Sequence, residues 1–345
     1  MEMSRPGSQM LKEITEIPGV LKKLSTAYYS NATAKSLLKN HGFGSIVLLA
    51  RGTSDNAAYF FKYLIETKLG LPCGLASPST ATMYSTQFHY ENTLVIAISQ
   101  SGQSNDILTF ASTALKGGAF VLSLTNNEGS PLAKSSDLHL PLLAGPEIAI
   151  PATKSYVAQL MMAYLLTTSW ASENYLSEEI FENADLCVAD STHQEFAGEI
   201  DLSKPIYILG RGFSYPNAKE FALKLQETCL VPVQGMATSD FLHGPIASLN
   251  PESQIIFMAP DKMPKDSFGE APARVREIGA KIFWIGNASR PLADEICLTS
   301  PDSTSAESAS ITDAIHFQKI TQQLAVSAGL DPDRPKGLSK ITITR

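Results

Sequence analysis

The chain contains itself twice. Leu49-Ala-Arg-Gly-Thr-Ser-Asp-Asn-Ala-Ala58 is similar to Leu209-Gly-Arg-Gly-Phe-Ser-Tyr-Pro-Asn-Ala218, an offset of 160 residues from Gly52 to Gly212. The same offset carries the apolar run Leu94–Ile98 onto Gln254–Met258, and Phe120–Thr125 onto Ala280–Ile285. Three registers at one offset are hard to obtain by chance. A repeat this long is two homologous domains rather than a solenoid, whose units run to only about 20–50 residues.

Within each copy, short apolar runs alternate with segments of helical period. The runs are Ile46–Ala50, Leu94–Ile98, Val121–Leu124 and Leu138–Leu142, then Ile206–Leu209, Ile255–Ala259, Ile282–Ile285 and Ile296–Leu298. Strands that are apolar throughout and separated by helices belong to parallel sheets covered on both faces. The expected fold class is therefore α/β, doubly wound, twice over. A helix is expected at about Met10–Thr26, and Thr153–Ala197 should be mostly helical. Met161–Leu166 reads as part of a buried helix.

Ligands of such sheets sit beyond the carboxyl ends of the strands. Two segments stand there: the turn carrying Ser54, and Ser99-Gln-Ser-Gly-Gln-Ser104. An amphipathic segment from Asp106 to Lys116 follows the second and stops at Gly117-Gly118. Small hydroxyl and amide side chains at a helix N-terminus suit an anion, because orphan N–H groups and the helix dipole both favour negative charge. No lysine or arginine lies in the loop, so neutral donors would hold a phosphate. The loop equally fits a Ser-rich βα turn with Ser104 as N-cap. The second copy has Ala259-Pro-Asp-Lys-Met-Pro264 in its place. Two prolines and an acid replace neutral donors, so one ligand site is expected per chain, in the first copy.

Composition narrows the function. The 345 residues hold 27 Lys+Arg against 34 Asp+Glu, a net charge of −7. That excludes a general nucleic-acid binder, which needs a basic face. No apolar run approaches the roughly 18 residues of a membrane span, and the first residues lack a signal-peptide core. The expectation is a cytoplasmic protein without membrane or nucleic-acid partners. Cys73, Cys187, Cys229 and Cys297 show no metal-ligand spacing and read as reduced, mostly buried thiols.

The motifs resemble those of the double sugar isomerase (SIS) domain family. The matching pieces are Arg51-Gly-Thr-Ser54, Ser99-Gln-Ser-Gly-Gln-Ser104, Glu147-Ile-Ala-Ile-Pro-Ala-Thr-Lys154, Gly210-Arg-Gly212, Ala222-Leu-Lys-Leu-Gln-Glu227, Phe241-Leu-His-Gly-Pro245 and Asp333-Arg-Pro-Lys-Gly-Leu-Ser-Lys340. They follow the family's order over nearly the whole chain. They are most similar to the isomerase half of glucosamine-6-phosphate synthase and to glucosamine-6-phosphate deaminases of this type. The resemblance implies two flavodoxin-like SIS domains, at 31–165 (binding the sugar phosphate) and 201–330. Around them it implies an N-terminal helical segment (1–30), a helical linker (166–200) and a tail (331–345) that closes the active site.

The resemblance also implies residue roles. Ser54, Ser99, Gln100, Ser101 and Ser104 would hold the phosphate and hydroxyls of a sugar phosphate. Ile150 would supply a backbone contact, and Ser339 and Lys340 would come from the tail. Glu227 would move a proton between C2 and C1, with Lys224 one helical turn before it on the same face. His243 would open the sugar ring, reaching across from the neighbouring subunit of a homodimer with a composite active site. The chain departs from the synthase at Pro151-Ala152, which lacks a serine, and at Gln226, which replaces a common lysine. Asp55 reads as a first-turn helix acid. Arg51, Arg211, His41, His89, His139, His193 and His316 read as structural.

The chemistry is consistent with elementary requirements. Aldose–ketose interconversion needs a base for a proton beside a carbonyl or iminium, and an acid to open the ring. A carboxylate in a partly dry pocket can serve, its pKa raised toward neutrality. Neither step requires a metal or redox cofactor, and none is expected. The repeat begins almost at once, with no glutaminase domain and no cysteine before Cys73, so hydrolytic deamination is expected rather than amination. Glucosamine 6-phosphate and water would give fructose 6-phosphate and ammonia. Another phosphorylated amino sugar, such as galactosamine 6-phosphate, or a fructosamine 6-phosphate, fits as an alternative. So does a non-catalytic sugar-phosphate sensor, although retention of Glu227, His243 and Lys340 together speaks against one.

Overall fold

The computed structural model of the protein describes residues 5–173, 177–287 and 291–340. The chain forms two compact units. The first-repeat unit comprises Gly19–Glu147, Lys154–Tyr175 and Ser339–Arg345. The second-repeat unit comprises Met1–Pro18, Ile148–Thr153 and Leu176–Leu338.

In the first-repeat unit, β1 (Ser45–Leu49), β2 (Cys73–Leu75), β3 (Thr93–Ser99), β4 (Phe120–Thr125) and β5 (Leu138–Pro141) form one sheet in the order β2-β1-β3-β4-β5. Every pairing is parallel. All seven residues of β3 are buried, which is why its sequence is a continuous apolar run. One face packs Leu49, Val95 and Val121 against Phe110 of the helix Asn105–Lys116 and against Leu132. The helix Lys154–Trp170 is buried at every residue except Ser169, so it shows no amphipathic stripe.

The second-repeat unit repeats this plan. Its strands are β6 (Ile206–Gly210), β7 (Val233–Ala237), β8 (Gln254–Met258), β9 (Lys281–Ile285) and β10 (Ile296–Leu298). The order β10-β9-β8-β6-β7 is the first sheet's order read from the other edge, again all parallel. Each unit is thus α/β with the flavodoxin-like strand order 2-1-3-4-5, which reverses direction between its first and third strands. The aromatic core is tight: Phe257 stacks on Trp284 with ring centroids 4.5 Å apart, and truncating either ring to alanine would cost roughly 3–5 kcal/mol.

Two features depart from the sequence reading. The single N-terminal helix expected at Met10–Thr26 is two, Ser8–Thr15 and Ile17–Tyr29. Pro18 stands just past the break and has no N–H to continue the ladder. The short edge strands β2 and β7 were not foreseen. In β7, Gly235 leaves room for the backbone of the helix Tyr215–Cys229: a Cβ there would lie 2.3 Å from Ala218 O.

Candidate active site

In the first-repeat unit, β1 and β3 are neighbours, with Leu49 opposite Ala97. The turns after them therefore open at one end of the sheet, at its switch point. Ser54 is buried in the first turn of the helix Thr53–Leu64, and its Oγ accepts from Gln159 Nε2 at 3.0 Å.

The loop 99–104 holds its shape by internal hydrogen bonds. Ser99 Oγ accepts from Gly102 N–H at 3.0 Å and Ser101 Oγ from Gln103 N–H at 3.3 Å. Gln100 O accepts from Asn126 N–H at 3.0 Å. Gly102 has φ +63°, and a Cβ there would lie 2.3 Å from Ser130 Oγ. Only glycine meets both conditions, since other residues strain at positive φ. Ser104 occupies the N-cap position of the helix Asn105–Lys116, but its side chain makes no capping hydrogen bond. The N-cap reading of Ser104 is therefore correct in place and not in bonding. Asp106, buried in that helix's first turn, pairs with Arg51 at 3.0 Å, a structural role for the arginine.

A second cluster of the same unit surrounds Lys340. Its ammonium lies 3.0 Å from Glu147 Oε2, whose side chain is fully buried. Glu147 also accepts from Ser155 N–H at 2.9 Å and Ser155 Oγ at 2.7 Å. Ser155 and Gln159 are one turn apart on the helix Lys154–Trp170, so they share a face. That face anchors Ser54 through Gln159, and Lys340 through Ser155 and Glu147. Ser339, beside Lys340, is exposed.

In the second-repeat unit, the helix Tyr215–Cys229 follows β6 and carries Glu220, Lys224 and Glu227. Lys224 is 1% exposed and lies between Glu220 Oε1 at 3.3 Å, itself fully buried, and Glu227 Oε2, with which it also pairs. Burial alone would push the Lys224 pKa down; the two carboxylates outweigh it and hold the pKa above the ordinary value. Glu227 is the partly exposed member, 23% accessible. The arrangement presents one carboxylate toward solvent on a fixed, buried cation. Gln226 points elsewhere, donating to Val233 O at 2.6 Å, and so ties the helix to β7.

His243 is exposed at the C-terminal end of the helix Thr238–Leu242 and just before the turn Gly244-Pro245. Ile150 is half-buried, and its N–H donates to Asp333 O at 3.0 Å. Among the described residues, no group of three or more His, Cys, Asp or Glu is placed to hold a metal ion, and no helix is long and apolar enough to cross a membrane. Cys73, Cys187 and Cys229 are buried and Cys297 exposed, all as free thiols.

The structure thus collects Ser54 and the loop 99–104 at one sheet end, and Lys224 with Glu227 on one helix. Sequence reasoning missed the residues that support them: Gln159, Glu147, Ser155 and Glu220. Glu220 was visible as an i,i+4 partner of Lys224. Glu147 lay in a quoted motif but carried no distinguishing spacing.

Both copies of the repeat match the SIS domain family, at residues 41–169 and 199–328. The chain is 30% identical over 345 residues to an isomerizing glutamine–fructose-6-phosphate aminotransferase of Methanothermobacter thermautotrophicus, covering 96% of this chain and 56% of that protein. It thus spans little more than half the length of such a relative. Among solved structures, the C-terminal domain of a glucosamine-fructose-6-phosphate aminotransferase from Francisella tularensis is similar with a TM-score of 0.84. That match has 25% identity and covers 95% of this chain and 98% of that one. A glucosamine-6-phosphate deaminase from Thermotoga maritima shares the fold, with a TM-score of 0.78, 22% identity and coverage of 98% and 100%.

Proposed function

The chain belongs to the SIS (sugar isomerase) family, and from that premise we propose that it is a deaminating aldose–ketose isomerase converting glucosamine 6-phosphate and water to fructose 6-phosphate and ammonia. The observation that carries this is the partly exposed Glu227 carboxylate held on the buried Lys224 ammonium. An isomerase needs such a base, fixed in place and open to substrate. The names of the relatives join fructose 6-phosphate and glucosamine 6-phosphate, the two ends of this conversion.

The loop 99–104, with Ser54, receives the phosphate through neutral donors and the N-terminus of the helix Asn105–Lys116. His243 moves the proton that opens the sugar ring, in a homodimer where it serves the partner protomer's site. Glu227 then takes the C2 proton of the open-chain aminoaldehyde and returns it to C1, while the C1 oxygen gains a proton given up by the C2 ammonium and becomes a hydroxyl. This leaves an iminium at C2; water adds there and ammonia departs. Lys340, drawn to Glu147, places a cation from the tail beside the open-chain sugar. With ammonia free in solution, the excess of water favours its release.

A second reading takes galactosamine 6-phosphate or a fructosamine 6-phosphate as substrate, since Pro151-Ala152 departs from the synthase pattern and alters the expected sugar contacts. The test is ammonia release from a panel of these phosphorylated amines. Glucosamine 6-phosphate should give the highest kcat/KM. A faster partner in the panel would replace it, and no release from any would refute the deaminase reading.

A further inference from the structure

Residues 147–150 belong to no strand or helix, so their backbone donors have no ladder to pair with. Groups remote in sequence take them instead. Glu13, fully buried on the helix Ser8–Thr15, accepts through Oε1 from Ile148 N–H, from Ala149 N–H at 3.2 Å and from Gln9 Nε2 at 2.8 Å. The next amide, Ile150 N–H, goes to Asp333 O at 3.0 Å. Asp333 is also buried, and its carboxylate caps the same helix, accepting from Met10 N–H at 2.7 Å and Gln9 N–H at 3.0 Å. Three successive amides are thereby fixed, two by the Glu13 carboxylate on the N-terminal helix and one by the backbone carbonyl of Asp333 at the root of the tail, a carbonyl seated by the Asp333 carboxylate on that same helix.

Glu13 is a costly residue for this place. A buried carboxylate is tolerated only when hydrogen-bonded, and its Oε2 is buried with no hydrogen-bond partner among the described residues. An apolar side chain would pack there without that cost but could not hold two adjacent N–H groups. The neighbours of those amides explain why holding them matters. Residue 147 is the carboxylate that anchors Lys340, and Lys340 itself lies seven residues beyond Asp333.

We propose that Glu13 and Asp333 are positioning residues for the reaction: between them they fix the backbone of Ile148, Ala149 and Ile150 and the root of the tail that leads to Lys340. This rests on the function proposed above. They touch no substrate; they act through Ile150, Glu147 and Lys340.

The test combines backbone amide exchange over residues 146–152 with steady-state deamination, in Glu13→Ala, Glu13→Gln and Asp333→Ala. Glu13→Ala should speed exchange of the Ile148 and Ala149 amides by about tenfold or more; Asp333→Ala keeps the carbonyl that takes Ile150 N–H but frees it from the helix Ser8–Thr15, and should speed Ile150 exchange by about tenfold or more, while the amides of β8 stay as slow as in the wild type. Activity should fall at least as far in both. Glu13→Gln keeps an amide oxygen at the same place and should restore slow exchange and most of the activity. Adding Asp333→Ala to Lys340→Ala should cost less activity than Asp333→Ala costs on its own, because part of its effect runs through the tail that carries Lys340. Unchanged exchange, or faster exchange with kcat and KM unaltered, overturns the proposal. So does a double variant whose losses multiply, which marks general destabilisation. If the wild type releases no ammonia from any substrate, the proposed reaction fails by itself. The same variants are then read by fructose 6-phosphate binding, and unaltered binding overturns the positioning role.

Discussion

Glu227 and Lys224 are neighbours on one helix, yet removing each should do different things. Glu227→Gln keeps the shape and loses the base, so kcat should fall by roughly two to four orders of magnitude, with substrate binding retained. Lys224→Ala would strand the fully buried Glu220 carboxylate, at a cost of about 3–5 kcal/mol in stability, read by urea unfolding. Only the first substitution isolates catalysis. The helix Ala306–Ser327 carries a further residue-scale test. Asp313 is fully buried, and burial raises its pKa from 3.8 to about 7 against a smaller lowering by the Ser300 hydroxyl. A carboxyl with a raised folded pKa keeps its proton longer in the native than in the unfolded chain. Stability is therefore lost as pH rises from about 4 through 7. Asp313→Asn should gain melting temperature relative to wild type on going from pH 5 to pH 8; no change between those pH values would contradict the burial argument. His316, on the same helix, is pushed by burial from 6.5 down to about 4, so its contribution has the opposite sign and is lost as pH falls through that window. At this scale Glu227 was picked out by the resemblance of its motif to the family's, and spacing of three on a helix added Lys224 on the same face. Asp313 and Glu13 were not, because burial of an acid leaves no mark in the sequence around it.

The elements were legible wherever burial was two-sided. All eight apolar runs are strands, and six of them are central, where a parallel strand must be apolar throughout. Two of the four edge strands escaped notice: Cys73–Leu75 and Val233–Ala237 are short, contain glycine, and are half-exposed, whereas the edge strands Leu138–Pro141 and Ile296–Leu298 were visible as short apolar runs. The loop 99–104 was legible as strand, turn and helix, but its internal hydrogen bonds were not. Two substitutions test it. Gly102→Ala must strain a positive φ and displace Ser130, so it should weaken sugar-phosphate binding by about tenfold or more, with a stability loss of about 1–3 kcal/mol. Ser101→Glu puts a negative charge where the phosphate is expected and should abolish binding, measured by calorimetry, with the melting temperature unchanged. Normal binding by the second variant would remove the loop from the site.

At the scale of the molecule, the repeat at an offset of 160 correctly forecast two sheets of the same topology. The second copy's loop carries Pro260, Asp261 and Pro264 where the first has neutral donors, the basis for expecting one ligand site per chain. On the proposed function the phosphate goes to the first copy's loop, while His243 lies in the other copy. Mixing His243→Ala chains with chains crippled at Ser99 and Ser101, under conditions of subunit exchange, should restore activity toward roughly a quarter to a half of wild type if a two-fold dimer shares its sites. Activity that stays at the level of the separate variants would show that each chain builds its own site. The most direct measurement of the central claim is the product balance from glucosamine 6-phosphate. The wild type should release ammonia and fructose 6-phosphate in equal amounts, and Glu227→Gln should release both slower by roughly two to four orders of magnitude. Ammonia without the ketose, neither product at all, or equal turnover by the two proteins would contradict it.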